Sequence, residues 1–163
     1  MRIAMVRIFI AFLFLFSPAL AQEGEKVRLE ARPALVISGK TTSEKMLDTL
    51  KARLTQFETM TKDKAEMMSV FLASDEGEFT LKTYYPVTMP LKDMTPSGER
   101  LKFIHKGAYD LIDQTYEEIA DYLDAKGLTA EDEVEESYPK DLRTTPENEL
   151  VVIITIKLKA SKP

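Results

Sequence analysis

Few side chains in this sequence are of types that could carry chemistry. The chain has one histidine, His105, and no cysteine, so thiol nucleophiles and metal sites built from cysteine or several histidines are excluded. A Ser–His–Asp site could use only His105, and a lone histidine before Lys106-Gly107 is more typical of a structural or surface residue than of a catalytic one. From these residue types we predict no catalytic residue, no metal site and no cofactor.

The acidic segment 131–138 holds a more promising pair. Side chains alternate between the two faces of a strand, so Val134, Glu136 and Tyr138 share one face. Val134 and Tyr138 favour the interior, which places Glu136 on the inward face. A carboxylate enclosed with aromatic rings attracts a cation, because its charge is poorly screened and the ring faces are negative. The alternative is that Glu136 is one more solvated side chain of an acidic strand.

Tyr84 and Tyr85 are a further pair of candidates. Because they are consecutive residues of a predicted strand, their side chains point to opposite faces. One of them can therefore face a binding cleft and the other cannot, and the sequence does not decide which. For each tyrosine the alternative is ordinary packing.

The elements that position these residues follow from hydrophobic periodicity. In the helix after Gly107 the stripe Ile112, Tyr116, Ile119 and Leu123 predicts core packing, Tyr116 included. The predicted elements are a strand at 27–37 interrupted by Arg32-Pro33, a helix at 43–60, strands at 67–73 and 79–89, a strand at 99–105, a helix at 109–125, and strands at 131–138 and 149–159.

The two halves of the chain, about 25–91 and 99–159, show the same order of strand, glycine, helix, strand and strand. Gly39 corresponds to Gly107. The apolar stripe of the first helix matches the stripe of the second helix at an offset one residue larger than that of the glycines. We predict an α+β fold of duplicated β-α-β-β units with pseudo-twofold symmetry, in which two helices pack on an antiparallel sheet and leave a central cleft. The alternative is a chance similarity between two α+β halves.

The N-terminus has the pattern of a signal peptide. Arg2 and Arg7 precede an apolar run over 8–16, which is too short for a stable membrane anchor, and Ala19-Leu20-Ala21 offers a cleavage site. We predict a signal peptide at 1–21 and a mature domain at 22–163 that is periplasmic or secreted, with no membrane association after cleavage.

The charge of the mature chain argues against nucleic acid as a partner. Removing Arg2 and Arg7 leaves 20 of the 22 basic residues against 27 acidic ones, a net charge of −7. Such a surface repels phosphates, and no basic stripe compensates. The sequence does not identify a protein partner.

The order of several features in the second half resembles a known family. That half resembles the effector-binding domain of the gyrase-inhibitor-like family, which is also found fused to AraC-type and multidrug-responsive transcription activators. The first half resembles it more weakly through Arg32-Pro33-Ala34 and Tyr84-Tyr85-Pro86-Val87, so the resemblance covers roughly residues 25–159. The features of the second half are Lys106-Gly107, Tyr109, Glu136-Ser137-Tyr138, Asp141, Pro146 and Glu149-Leu150.

The resemblance implies a cleft that holds small, often cationic or aromatic, molecules. In ligand-binding relatives a buried glutamate and several aromatic residues line that cleft. Carried onto this sequence, Glu136 is the acidic group and Tyr138 its neighbour. With Tyr84 and Tyr85 they form the predicted set of ligand-binding residues.

Three functions remain open, and the first is favoured. It is an exported small-molecule-binding domain that resembles effector-binding domains but has no DNA-binding segment. The second is a hydrolase in which Glu136 and Tyr138 form an acid/base pair, because some relatives of the family resemble hydrolases. No other residue offers a nucleophile or a metal site. The third is a protein-interaction module without a small ligand, which a cleft filled by its own side chains would favour.

Overall fold

A computed structural model describes residues 24–62, 68–75, 78–87 and 93–159. The predicted signal peptide at 1–21 lies outside these ranges. Within them the chain forms two α-helices and seven β-strands, and short 3-10 turns lead into both helices. The elements are β1 (Glu25–Leu29), β2 (Ala34–Thr42), α1 (Met46–Thr61), β3 (Met68–Asp75), β4 (Glu78–Pro86), β5 (Gly98–Lys106), α2 (Ile112–Ala125), β6 (Ala130–Tyr138) and β7 (Val151–Leu158).

Both predicted helices are observed, and each predicted strand is present with ends shifted by a few residues. One detail of the predicted repeat is wrong. Gly39 does not end its strand, because β2 continues to Thr42 and pairs with β4 along its whole length. A Cβ at Gly39 would clash with the guanidinium of Arg53, so this glycine makes room for a side chain of α1. Gly107 instead turns the chain after β5, with a φ of 118°.

The strands form one antiparallel sheet in the order β1-β5-β7-β6-β3-β4-β2. After β1, the order of elements is β-α-β-β twice, and each of these units supplies three adjacent strands, while β1 adds an edge strand beside β5. The two sets meet where β3 pairs with β6, in the register that places Ser69 opposite Ser137. The α+β fold with two helices and an antiparallel sheet is thus confirmed, whereas the pseudo-twofold duplication stays a prediction.

The sheet must curl strongly, because its two edge strands are joined by a very short connection. Only residues 30–33 separate β1 from β2. Five Cα steps span at most about 18 Å, whereas seven strands in a flat sheet would place the edges roughly 29 Å apart. Backbone hydrogen bonds from Ala34 N to Asp93 O (3.0 Å) and from Thr95 N to Arg32 O (2.8 Å) fasten the start of β2 to the segment before β5. The edges are therefore drawn towards each other.

Both helices pack on the same face of the sheet. Thr83 lies opposite Val70 and Val70 opposite Glu136, so these three residues share a face. The next residue of β4 on that face, Tyr85, stacks on Phe57 of α1 with ring centroids 4.3 Å apart. Burying each large apolar side chain stabilises the fold by about 1.5–3 kcal/mol. The buried helix residues are Met46, Leu50, Leu54 and Phe57 of α1 and Ile112, Ile119 and Leu123 of α2.

The loop between β6 and β7 ties the second half of the chain to the first. Arg143 in this loop donates through both terminal nitrogens to the carboxylate of Glu58 on α1, at 2.7 and 2.8 Å. Its Nε and Nη2 also bond Asp141, at 3.0 and 2.7 Å. The planar guanidinium suits such paired contacts. This loop therefore holds the C-terminal half of α1 in place.

Candidate functional site

Glu136 occupies the centre of the helix-covered face. It lies in β6 between Ile154 of β7 and Val70 of β3, and only 1% of its surface is exposed. The prediction that Glu136 shares the inward face with Tyr138 is confirmed, since Tyr138 is buried beside it. A carboxylate in such a position requires hydrogen-bond donors to offset its lost hydration.

Three tyrosine hydroxyls supply those donors. Tyr116 of α2 donates to Oε1 of Glu136 at 2.6 Å, and Tyr109 donates to Oε2 at 3.2 Å. Tyr138 also donates to Oε2. The rings of Tyr109 and Tyr138 lie with their centroids 6.5 Å apart and tilted by 33°. The carboxylate is thus enclosed by aromatic residues from the sheet, from α2 and from the turn before α2.

The turn between β5 and α2 places two of these tyrosines. The chain turns at Gly107, and two contacts of His105 stabilise the turn. Its Nε2 lies 3.0 Å from the carbonyl oxygen of Ala108, and its Nδ1 lies 2.8 Å from Oγ1 of Thr115 on α2. His105 is 4% exposed. The predicted structural role of His105 fits these contacts, which fix the turn that carries Tyr109 and the helix that carries Tyr116.

Burial sets the protonation behaviour of the cluster. Desolvation raises the pKa of Glu136 above its ordinary value, although the hydrogen bonds from Tyr116, Tyr138 and Tyr109 and the nearby His105 each lower it. Desolvation, with the field of Glu136, raises the pKa of all three tyrosines well above the ordinary range. The tyrosines therefore remain neutral donors, and the carboxyl of Glu136 is the group in the cluster that can change charge.

The structure separates the four predicted ligand residues. Glu136 and Tyr138 are in direct contact. Tyr85 faces the same side of the sheet but lies under α1, fully buried against Phe57. Tyr84 is the tyrosine that faces away, since it alternates with Tyr85 along β4 and is only partly buried. The register settles which of the two tyrosines points towards the helices, and ligand contact by any of the four stays a prediction.

Sequence reasoning missed two members of the cluster. Tyr116 was predicted to be a core residue of the α2 stripe, and Tyr109 served only as a feature of the family resemblance. The prediction for Tyr116 is correct for its ring and incomplete for its hydroxyl, which bonds the acid. A tyrosine rather than leucine in a helix stripe was the available signal, because a buried tyrosine hydroxyl generally requires a partner.

The site is closed rather than open to solvent. The carboxylate is covered by its own tyrosines, and two surface cavities of about 530 and 230 Å³ lie elsewhere, near Glu131 and Glu133 at one end of the sheet. Among the residues described, no group of three or more histidine, cysteine or acidic side chains is arranged to hold a metal ion. No helix in the same part of the chain is long and apolar enough to cross a membrane.

Comparison of the sequence with known families matches residues 22–159 to the GyrI-like small molecule binding domain. The chain therefore belongs to the GyrI-like small molecule binding domain family. The family predicted from Lys106-Gly107, Glu136-Ser137-Tyr138 and the surrounding features is confirmed. No curated protein matches the chain significantly.

Solved structures share the fold at low sequence identity. The C-terminal domain of EcmrR is 13% identical, with a TM-score of 0.61 and coverage of 86% of this chain and 99% of that one. SAV2435, solved bound to tetraphenylphosphonium, is 15% identical with a TM-score of 0.57, covering 84% and 94%. A hydrolase from Listeria innocua is 11% identical with a TM-score of 0.56, covering 84% and 92%. At these identities the similarity establishes the fold.

Proposed function

We propose that this domain binds a small organic cation at Glu136. One observation carries the proposal: a carboxylate at the centre of the sheet is held by three tyrosine hydroxyls. Within the described residues it forms no salt bridge. Buried charges in proteins are generally paired with an opposite charge, and the absence of such a partner among the described side chains leaves that role to a ligand.

The surroundings of Glu136 suit a weakly hydrated cation with an apolar surface. Tyrosine ring faces are negative, so a cation beside Glu136 that also contacts a face of Tyr109, Tyr116 or Tyr138 gains a second attraction. Little solvent screens the interaction, because Glu136 and Tyr138 are almost fully buried. A strongly hydrated ion would lose more on entering than these contacts return.

Entry of a ligand requires the cluster to open. Tyr109 and Tyr116 are only partly buried as whole residues, and Tyr109 lies in a one-turn segment, Tyr109–Leu111, rather than in a long helix. Rotation of these two side chains uncovers Glu136 without breaking the strand pairing of β6. We infer that the tyrosines are both the lid of the closed state and the aromatic wall of the bound state.

Tetraphenylphosphonium is a suitable probe, since a protein with this fold was solved with it. Isothermal titration with the purified protein should show binding that Glu136→Gln weakens about tenfold or more, because one opposing charge at a buried site contributes at least that factor. Glu135→Gln is the matched control, since Glu135 is the adjacent residue and is buried on the opposite face. Equal affinity in wild type and Glu136→Gln would remove Glu136 from the site. Absence of any binding would favour the protein-interaction module, the alternative that the closed site also favours.

A hydrolase is the second candidate, and the contact between Tyr138 and Glu136 is the observation that favours it. A carboxyl with a raised pKa beside a tyrosine hydroxyl can exchange a proton with a reacting group. Turnover of a panel of esters and epoxides tests this candidate. Activity lost in both Glu136→Gln and Tyr138→Phe supports it, and activity that persists in Glu136→Gln contradicts it.

We also propose that residues 1–21 are a signal peptide and that the domain acts outside the cytoplasm. The match to the small molecule binding domain begins at residue 22, next to the predicted cleavage site. Expression of the full chain in a bacterial host, followed by fractionation and N-terminal sequencing, tests this proposal. A periplasmic or secreted product beginning at Gln22 is expected. A full-length cytoplasmic product would contradict it.

A further inference from the structure

Two buried hydroxyl groups on β4 play no part in the site described above. Oγ1 of Thr83 and the hydroxyl of Tyr85 have no hydrogen-bond partner among the residues the structure describes. Both residues are fully buried, with 0% of their surface exposed. Folded proteins pair the large majority of buried polar atoms, so two unpaired hydroxyls on one strand face call for a partner that the described part of the chain does not supply.

The register of the sheet places these hydroxyls at a fixed distance from Glu136. Thr83 is opposite Val70, which is opposite Glu136. Two strand spacings therefore separate Thr83 from the acid, roughly 10 Å across the same face. In the neighbouring row of the same face Met68 is opposite Tyr138, and Tyr85 follows Thr83 on that face of β4.

The surface between the two ends is apolar, and the far end lies in the field of Arg53. Val70 and Met68 lie between Glu136 and the hydroxyls and are both buried. The guanidinium of Arg53 acts on the Tyr85 hydroxyl and lowers its pKa, although burial outweighs it and raises the pKa overall, whereas the charge of Arg143 is balanced by Glu58 and Asp141. Two hydroxyls beside Arg53 favour a neutral or acidic hydrogen-bonding group over a second cation.

We propose that the site takes an elongated ligand with two distinct ends. This face is closed in the structure, so the ligand enters as α1 moves off it. Its cationic end then lies against Glu136, its apolar middle crosses Val70 and Met68, and a neutral or acidic hydrogen-bonding group reaches the hydroxyls of Thr83 and Tyr85. This inference rests on the proposed function, since it needs the cation at Glu136. It adds the requirement for a polar group about two strand spacings away. The ligand class is therefore an amphiphilic cation with a polar tail.

A series of matched compounds tests the spacing. Butyl-, hexyl- and octyl-trimethylammonium carry a cation and an apolar chain, and their ω-hydroxy counterparts add one polar group at the far end. Hexamethonium carries a second cation there instead. A hydroxyl placed in an apolar pocket without a partner weakens binding. A gain in affinity from the hydroxyl is therefore diagnostic of a hydrogen-bonding partner in the protein.

We expect the ω-hydroxy compound to bind the wild-type protein about tenfold more tightly than its alkyl counterpart at the hexyl or octyl length, by titration calorimetry. The butyl pair should show no gain, because its chain is too short to reach β4. Hexamethonium should show none either, because a quaternary ammonium neither donates nor accepts a hydrogen bond and therefore cannot pair with the two hydroxyls. In the double variant Thr83→Val with Tyr85→Phe the gain should disappear. Both substitutions keep the side-chain shape and remove only unpaired hydroxyls, so thermal stability should be unchanged or higher.

The outcomes separate this inference from the proposed function. If the alkyl compounds bind in a manner that depends on Glu136 and the ω-hydroxy gain is absent, or persists in the double variant, the cation site stands and the two-ended ligand is overturned. If no compound binds, both fail. A loss of thermal stability in the double variant without ligand would show that the hydroxyls have partners within the protein, which also overturns the inference.

Discussion

Glu135 and Glu136 are consecutive residues of β6 whose carboxylates are buried on opposite faces of one sheet. Oε2 of Glu135 accepts a hydrogen bond from Oγ1 of Thr155 at 2.8 Å, whereas Glu136 is held by three tyrosines beneath the helices. The two residues share chemistry, strand and burial, and differ in what surrounds them. This pair therefore isolates the contribution of the helix-covered face, and each experiment on Glu136 has a control one residue away.

The stability of the protein should depend on pH through Glu136. Burial raises the pKa of Glu136 above its value in the unfolded chain, so the neutral acid is favoured by folding. That contribution is fully present below the unfolded pKa and is lost as pH rises through the folded pKa. Relative to Glu136→Gln, the wild type should become less stable as pH increases above roughly 4.3, the ordinary value for glutamate. Urea unfolding of both proteins between about pH 4 and 8 measures this difference; a difference that is constant or grows in favour of wild type contradicts it.

Removing the hydroxyl of Tyr116 should destabilise the folded protein. Tyr116→Phe leaves Oε1 of Glu136 without its 2.6 Å donor, and losing a hydrogen bond to a charged buried group costs about 1.5–3 kcal/mol. The effect should be larger at neutral pH than in acid, where the protonated carboxyl needs fewer donors. Tyr122→Phe on the same helix is the control, because Tyr122 contacts Phe103 through its ring edge. Equal losses in the two variants would show that the hydroxyl of Tyr116 contributes nothing specific.

Gly107→Ala should disturb the site through the backbone alone. A Cβ at Gly107 would meet no atom within 4 Å, and the φ of 118° is the obstacle. Strain of this kind costs about 1–3 kcal/mol. Relaxation of the turn would move Tyr109 away from Glu136, so affinity for tetraphenylphosphonium should change along with stability. Gly127→Ala, at a φ of 63° beyond α2, should lower stability and leave that affinity intact.

The contact between Arg143 and Glu58 should make a modest, salt-dependent contribution to stability. Arg143→Gln is expected to lower the free energy of unfolding by about 1 kcal/mol, since both side chains are partly exposed and solvent screens them. The loss should shrink at high salt. Lys40→Gln, which removes the more exposed pair with Glu78, should change stability by less than about 0.5 kcal/mol. Urea unfolding at two salt concentrations measures the free energy of unfolding of both variants.

The local parts of the fold were accessible from the sequence because they depend on local periodicity. The stripe from Ile112 to Leu123 and the β-branched run in β7 specify their elements by short-range patterns. The acidic residue was also accessible, since alternation along β6 places Glu136 beside Tyr138. The pairing of β3 with β6, by contrast, joins residues that are far apart in the chain, such as Ser69 and Ser137. Its register follows from the packing of the whole sheet and not from either segment alone.

The assignment of tyrosines to the site shows where sequence reasoning stops. Tyr116 was predicted from its stripe to pack in the core, and its ring does so. Its hydroxyl reaches Glu136 only because α2 packs on the face of the sheet that carries Glu136, which is a property of the tertiary structure. Gly39 illustrates the same limit, since its small size serves the guanidinium of Arg53 rather than a turn.

The short connection between β1 and β2 also dictates an order of assembly. Glu25 pairs with Lys102 of β5, so the first strand to be synthesised has no partner until the second half of the chain exists. Pairings of such long sequence separation form slowly, because the intervening chain must be ordered first. The first strand therefore stays unpaired until β5 is made, whereas β2, only a few residues further on, finds its partner β4 within the first half of the chain.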